Sequence, residues 1–128
     1  MAKVFGIHLL RLREGVDPEE FEQFARRWFS DPDLRAYYDG IGWKAHLVKG
    51  LRGDRAGGYA MLIEIESVEA LERIMPTPEK SSGQSEKYMA DHPETAKKSA
   101  QYSEEFAKYS ACKLGENTIF TDYVVVAE

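Results

Sequence analysis

Residues 42–67, GWKAHLVKGLRGDRAGGYAMLIEIES, constrain the fold more than any other stretch, because two alternating runs flank a glycine-rich loop and read as a hairpin. Aligning the runs decides which side chains share a face of the sheet. With Leu51 opposite Tyr59, residues Trp43, Ala45, Leu47, Leu51, Tyr59, Met61, Ile63 and Ile65 fall on one face, and Lys49 is the polar exception. A one-residue slip scatters these across both faces, so this register is preferred. It sets His46 opposite Glu64, Lys44 opposite Glu66 and Val48 opposite Leu62 on the other face. Two readings of the His46 and Glu64 pair stay open. A glutamate beside an imidazole in a partly dry site raises its proton affinity and makes an acid/base relay. An ordinary cross-strand polar pair on an edge strand looks the same in sequence.

Around the hairpin the order of elements is legible. Residues 3–13 form a strand that is apolar at nearly every position as far as Leu10, which implies cover on both faces and a central place in the sheet. Asp17, Pro18 and Glu20 start a helix in which Phe21, Phe24, Ala25, Trp28 and Phe29 make one apolar stripe, with Glu22, Arg26 and Arg27 turned outward. Residues 34–38 add a short helical turn, in which Tyr37 and Tyr38 pack or line a pocket mouth. Ser67 caps a short helix that Pro76 ends, and the polar stretch 76–87 reads as a mobile connection. Asp91 and Glu94 suggest the capping box of a peripheral helix that runs through Cys112, a small apolar helix residue, to a stop at Gly115. Residues 118–127, TIFTDYVVVA, form the last strand.

This is an α+β chain in one domain, residues 1–128, with the ferredoxin-like βαββαβ plan, an antiparallel sheet of order 4-1-3-2 and an extra helix before the last strand. Helices cover one face in that plan. The near-continuous apolar strands leave the second face in need of a partner, and another copy of the chain is the simplest supply.

On its strand pattern from 4–13 to 118–127, and in pieces such as Gly53-Asp54-Arg55, Gly58-Tyr59-Ala60 and Phe120-Thr121-Asp122-Tyr123, the chain resembles the dimeric α+β barrel superfamily. That superfamily includes antibiotic-biosynthesis-type monooxygenases, EthD-like and NIPSNAP-like proteins, muconolactone-isomerase-like enzymes and haem-degrading relatives. The insert over 76–116 departs from its compact members. The resemblance implies two sheets meeting face to face, with a pocket between sheet and helices or in the barrel interior. It transfers the architecture and no catalytic residue, since the scaffold hosts several chemistries and some binders.

Function is bounded more than it is identified. A net charge of -5 argues against nucleic acid, and no apolar run approaches the roughly 20 residues of a membrane span. The N-terminus lacks a signal-sequence pattern and Cys112 stands alone, so a cytoplasmic protein is expected. Phosphate-cradling, dinucleotide, CxxC, HExxH and GxSxG motifs are absent, so no cofactor is expected, although haem, held through one histidine, stays open. His8, on the even-numbered side of its strand, is expected to face the same interior as His46. With the third strand between them, two spacings of about 4.8 Å are too far for one metal, so no metal site is expected. Lys49, Arg52 and Arg55 at the hairpin tip suit an anionic ligand or acidic partner, or simply solvent.

The expected protein is a homodimer that binds a small, partly apolar organic molecule, with cofactor-free oxygenase or isomerase chemistry. His46, Glu64 and His8 are the candidate catalytic groups, and Trp43, Tyr59 and Tyr123 the candidate wall. The alternative is a non-catalytic binding or assembly protein whose sheet face only makes the dimer.

Overall fold

A computed structural model describes residues 2–111 and 119–128 of the chain. Val4–Leu10 (β1), Trp43–Lys49 (β2), Tyr59–Ile65 (β3) and Ile119–Val124 (β4) form one sheet in the order β2-β3-β1-β4, and every neighbouring pair is antiparallel. This is the 4-1-3-2 order read from the other edge, with β1 central as its two-sided apolar sequence requires.

Among the described residues five helices accompany the sheet: Pro18–Phe29 (α1), Pro32–Ile41 (α2), Val68–Ile74 (α3), Gln84–Asp91 (α4) and Pro93–Tyr109 (α5). Asp17 caps α1 by accepting the amide N–H of Glu19 at 3.0 Å, and Ser67 caps α3 through the amide of Ala70 at 3.1 Å. Asp31 caps α2 through the amides of Asp33 and Leu34, so the region expected to hold one helical turn carries a ten-residue helix.

Two further differences lie in the insert. The polar stretch 76–87 is loop only in its first part, because α4 starts at Gln84. Asp91 ends α4, and His92 with Pro93 opens α5, so Asp91 does not cap α5. Nor is α5 peripheral. Tyr102, Phe106 and Tyr109 stand at i, i+4 and i+7, and Phe106 is 2% exposed in a cluster with Phe21, Phe24 and Tyr59. The expected helix stop at Gly115, like Cys112, lies outside the described residues.

The hairpin register differs from the sequence reading by two residues. Lys49, not Leu51, pairs with Tyr59, so His46 stands opposite Leu62 and Lys44 opposite Glu64. The loop explains the shift. Gly50 donates its N–H to Gly58 O and accepts from Gly57 N–H, both at 2.8 Å, which closes the ladder before Leu51. A side chain on Gly50 would meet the carbonyl of Arg55 at 1.9 Å, so the loop folds back where only glycine fits. Leu51, 91% exposed, belongs to the loop and not to the sheet face.

A shift of two keeps every side chain on its face. Trp43, Ala45, Leu47, Lys49, Tyr59, Met61, Ile63 and Ile65 remain together, joined by Val4, Gly6, His8 and Leu10 of β1 and by Phe120, Asp122 and Val124 of β4. All sheet residues packed into the core clusters come from this face. The second face carries Phe5, Ile7, Leu9, Leu62 and Tyr123 with Lys44, His46 and Glu64.

Candidate functional site

Between the helix-packed sheet face and α1, α2 and α3 lies a cleft of about 1280 Å³. Leu47, Met61 and Ile63 line it from the sheet, Trp28 and Phe29 from α1, Tyr38 from α2 and Leu71 from α3. Trp43 contributes an indole face, its N–H being directed to Ala70 O at 3.4 Å. Burial pushes the pKa of the Tyr38 phenol up, keeping it a neutral hydrogen-bonding group.

The polar centre of this cleft is His8. Its imidazole stacks on Phe120, with centroids 5.1 Å apart and planes 10° from parallel. Burial pushes its pKa below the ordinary histidine value, against the opposing pull of Asp122. Gly6 explains how the two polar groups share this floor. A Cβ on Gly6 would lie 2.7 Å from Asp122 Oδ1 and 3.7 Å from His8 Nε2, so the missing side chain is what lets the Asp122 carboxylate reach in beside His8. A neutral imidazole, a carboxylate and an apolar cleft together can take a proton from a bound molecule and stabilise the resulting imidazolium.

At the hairpin end of the cleft sits a second polar group. Tyr59 donates its hydroxyl to Glu22, Lys49 Nζ lies 3.3 Å from the same carboxylate and the Arg26 guanidinium 3.5 Å from its other oxygen. Burial and, after it, the Glu22 carboxylate push the Tyr59 phenol up to about 12. The hydrogen bonds from Tyr59 and then Lys49 hold Glu22 below the usual carboxylate range. Tyr59 is therefore a neutral wall residue whose proton is already engaged.

The six residues singled out from sequence divide between two faces. His8, Trp43 and Tyr59 line the cleft. His46 also borders the cleft, but its strand position puts it on the opposite sheet face with Glu64 and Tyr123, so His8 and His46 do not share one face of the sheet. His46 Nε2 still contacts Glu64 Oε1 at 3.8 Å, as a diagonal neighbour and not a direct cross-strand partner, with side chains 48% and 32% exposed. His92 lies elsewhere, stacked on Tyr88 with its Nδ1 2.8 Å from Tyr88 O. Among the described residues no three His, Cys, Asp or Glu side chains gather as a metal site.

Sequence reasoning passed over Asp122 and Phe120 as site residues and turned Glu22 outward with Arg26, of which only Arg26 is exposed. Parity would have found the first two. Once β4 is antiparallel to β1, its even-numbered residues share the face of His8. Glu22 flanks the apolar stripe of α1, a position from which a long side chain reaches the sheet.

No family model matches the chain, and no curated protein matches its sequence. Among solved structures it is similar to a dimeric protein of unknown function and ferredoxin-like fold from Bacteroides fragilis, at 18% identity, with 96% of each chain covered and a TM-score of 0.50. A protein from Arabidopsis thaliana aligns at 17% identity over 98% of this chain and 97% of its own, with a TM-score of 0.51. At such identities the likeness shows the fold, and the fold is ferredoxin-like.

Proposed function

We propose that the chain works as a homodimer whose subunits each bind a small, partly apolar organic molecule in the cleft between sheet and helices. His8 is the proton-accepting group in this reading. The observation that carries it is the half-buried imidazole of His8, stacked on Phe120, beside the Asp122 carboxylate that reaches in over Gly6. Trp43 and Tyr59 serve as walls. Proton removal from a carbon next to a carbonyl and its return at another carbon is an isomerisation that needs no cofactor. Alternatively the same carbanion adds to dioxygen, forming a C–O bond, and the imidazolium returns its proton to the peroxide anion to give a hydroperoxide.

His46, Glu64 and Tyr123 have another place in this proposal. They lie on the open face, beside Phe5, Ile7, Leu9 and Leu62, where a second copy would cover them. The Bacteroides fragilis neighbour, which is dimeric, supports that arrangement.

Mass spectrometry of small molecules extracted from purified protein tests the binding role. A co-purifying organic compound in the native protein that is lost from a folded Trp43→Ala variant is the expected result. If extraction recovers nothing and the cleft proves collapsed in a crystal, the chain is an assembly protein instead. Turnover of the recovered compound should fall at least about 100-fold in His8→Gln and remain near native in His46→Ala.

A further inference from the structure

The charged side chains that line the cleft balance, four Lys or Arg against four Asp or Glu, so net charge selects no ligand. Hydrogen bonding is a finer selector, and the two tyrosines of the cleft differ in it. Tyr59 has its proton engaged by Glu22. The hydroxyl of Tyr38 makes no hydrogen bond among the described residues. Helix geometry explains its position. Tyr37 and Tyr38 are consecutive on α2 and diverge by about 100° around the helix axis, so Tyr37 turns into the core while Tyr38 lines the cleft. Tyr37, its ring centre 5.2 Å from that of Tyr38, is bonded through its own hydroxyl to Ser85 Oγ. Trp43 packs with Tyr38 against Tyr37, Ile41 and Ile74 and directs its indole N–H to Ala70 O. Both aromatic neighbours therefore have their polar atoms bound to the protein, and Tyr38 does not. A hydroxyl drawn from water without a partner is destabilising. Burial pushes the pKa of this phenol up, so its proton stays available for donation.

We infer that Tyr38 is a specificity-determining residue of the cleft, donating its hydroxyl to a carbonyl oxygen of an uncharged ligand whose apolar body lies against the Trp43 ring. The inference rests on the reading that the cleft binds an organic molecule. The balanced lining favours an uncharged molecule, because a net charge on the ligand would stay uncompensated. Trp43 offers only its ring face, so the hydrogen bond beside it falls to Tyr38. A carbonyl is the acceptor of choice, since proton removal by His8 from a neighbouring carbon requires one in the same molecule.

Tyr38→Phe removes the hydroxyl and keeps the ring. It should melt at or above the native temperature, because no bond within the protein is lost; a clearly lower melting temperature would show that the hydroxyl serves the fold and would overturn the inference. Fluorine NMR titrations with 4-fluoroacetophenone and with 4-fluoro-α-methylstyrene, where a methylene replaces the ketone oxygen, read the ligand side. Tyr38→Phe should weaken binding of the ketone about fivefold and leave binding of the alkene unchanged. Comparing each probe with itself across the two proteins cancels the greater hydrophobicity of the alkene. An unchanged affinity for the ketone, or an equal loss for both probes, overturns the inference and leaves a cleft that selects by shape. Failure of both probes to bind the native protein at millimolar concentration overturns the binding reading itself, and this inference with it.

Discussion

His8 carries opposing influences that can be separated by mutation. Burial lowers its pKa and Asp122 raises it, so removing the charge with Asp122→Asn should move the imidazole further down. An NMR titration of the ring protons reads this directly; an unchanged or higher value in the variant would separate the two groups. Gly6→Ala should act in the same direction, because its methyl group would lie 2.7 Å from Asp122 Oδ1 and push the carboxylate away. Stability follows from the same shift. An unfolded imidazole titrates near 6.5 and the folded one below it, so the unfolded chain takes up the proton first. The stabilisation is therefore fully present above pH 6.5 and is lost as the pH falls through the folded pKa. Comparing urea midpoints on either side of this window should give a larger acid loss in the native protein than in His8→Gln. Equal losses would mean that His8 is not the group responsible.

Elements were legible from sequence where one periodicity and one cap agreed. Asp17, Pro18 and the aromatic stripe define α1, and the continuous apolar run makes β1 central, because burial on both faces leaves no polar alternation. The insert was harder, since its signals conflict. Gly83 and the serines before it read as loop, yet Gln84–Asp91 is helical, with Tyr88 set against Tyr37 at 4.8 Å between ring centres. Helix α5 looked peripheral because alanines dominate its apolar side, while buried Phe106, with Tyr102 and Tyr109 packed beside it, anchors it to the core. Phe106→Ala should accordingly cost about 3–5 kcal/mol by urea denaturation, as expected for a fully buried aromatic residue. A loss under about 1 kcal/mol would restore the peripheral reading. The hairpin marks a different limit. Period-two alternation is blind to an even shift, so face assignments survived while the partners of His46 and Lys44 did not. Only the hydrogen bonds around Gly50, which no hydrophobic pattern encodes, fix the final register.

At the scale of the whole molecule, the two sheet faces have different tasks. The helix-packed face holds the core clusters and the cleft, and on the other face Ile7 sits between Leu62 of β3 and Thr121 of β4 at the centre of an apolar field. Leu9 and Ile119 extend that field toward the edge, and Ile119 is 72% exposed in a single chain. A sheet in water on one face normally alternates apolar and polar residues, and β1 does not, which is why a second copy is the proposed cover. Replacing Ile7 by Glu would bury a carboxylate in such an interface with no partner, a cost of several kcal/mol that association cannot absorb. The native chain should therefore run as a dimer in light scattering at micromolar concentration, and Ile7→Glu as a folded monomer. Its cleft should remain formed, because Ile7 points away from His8, Leu47 and Met61. A native monomer would remove the dimer while leaving the cleft and its ligand chemistry standing. A dimer that persists in Ile7→Glu would move the interface to another surface.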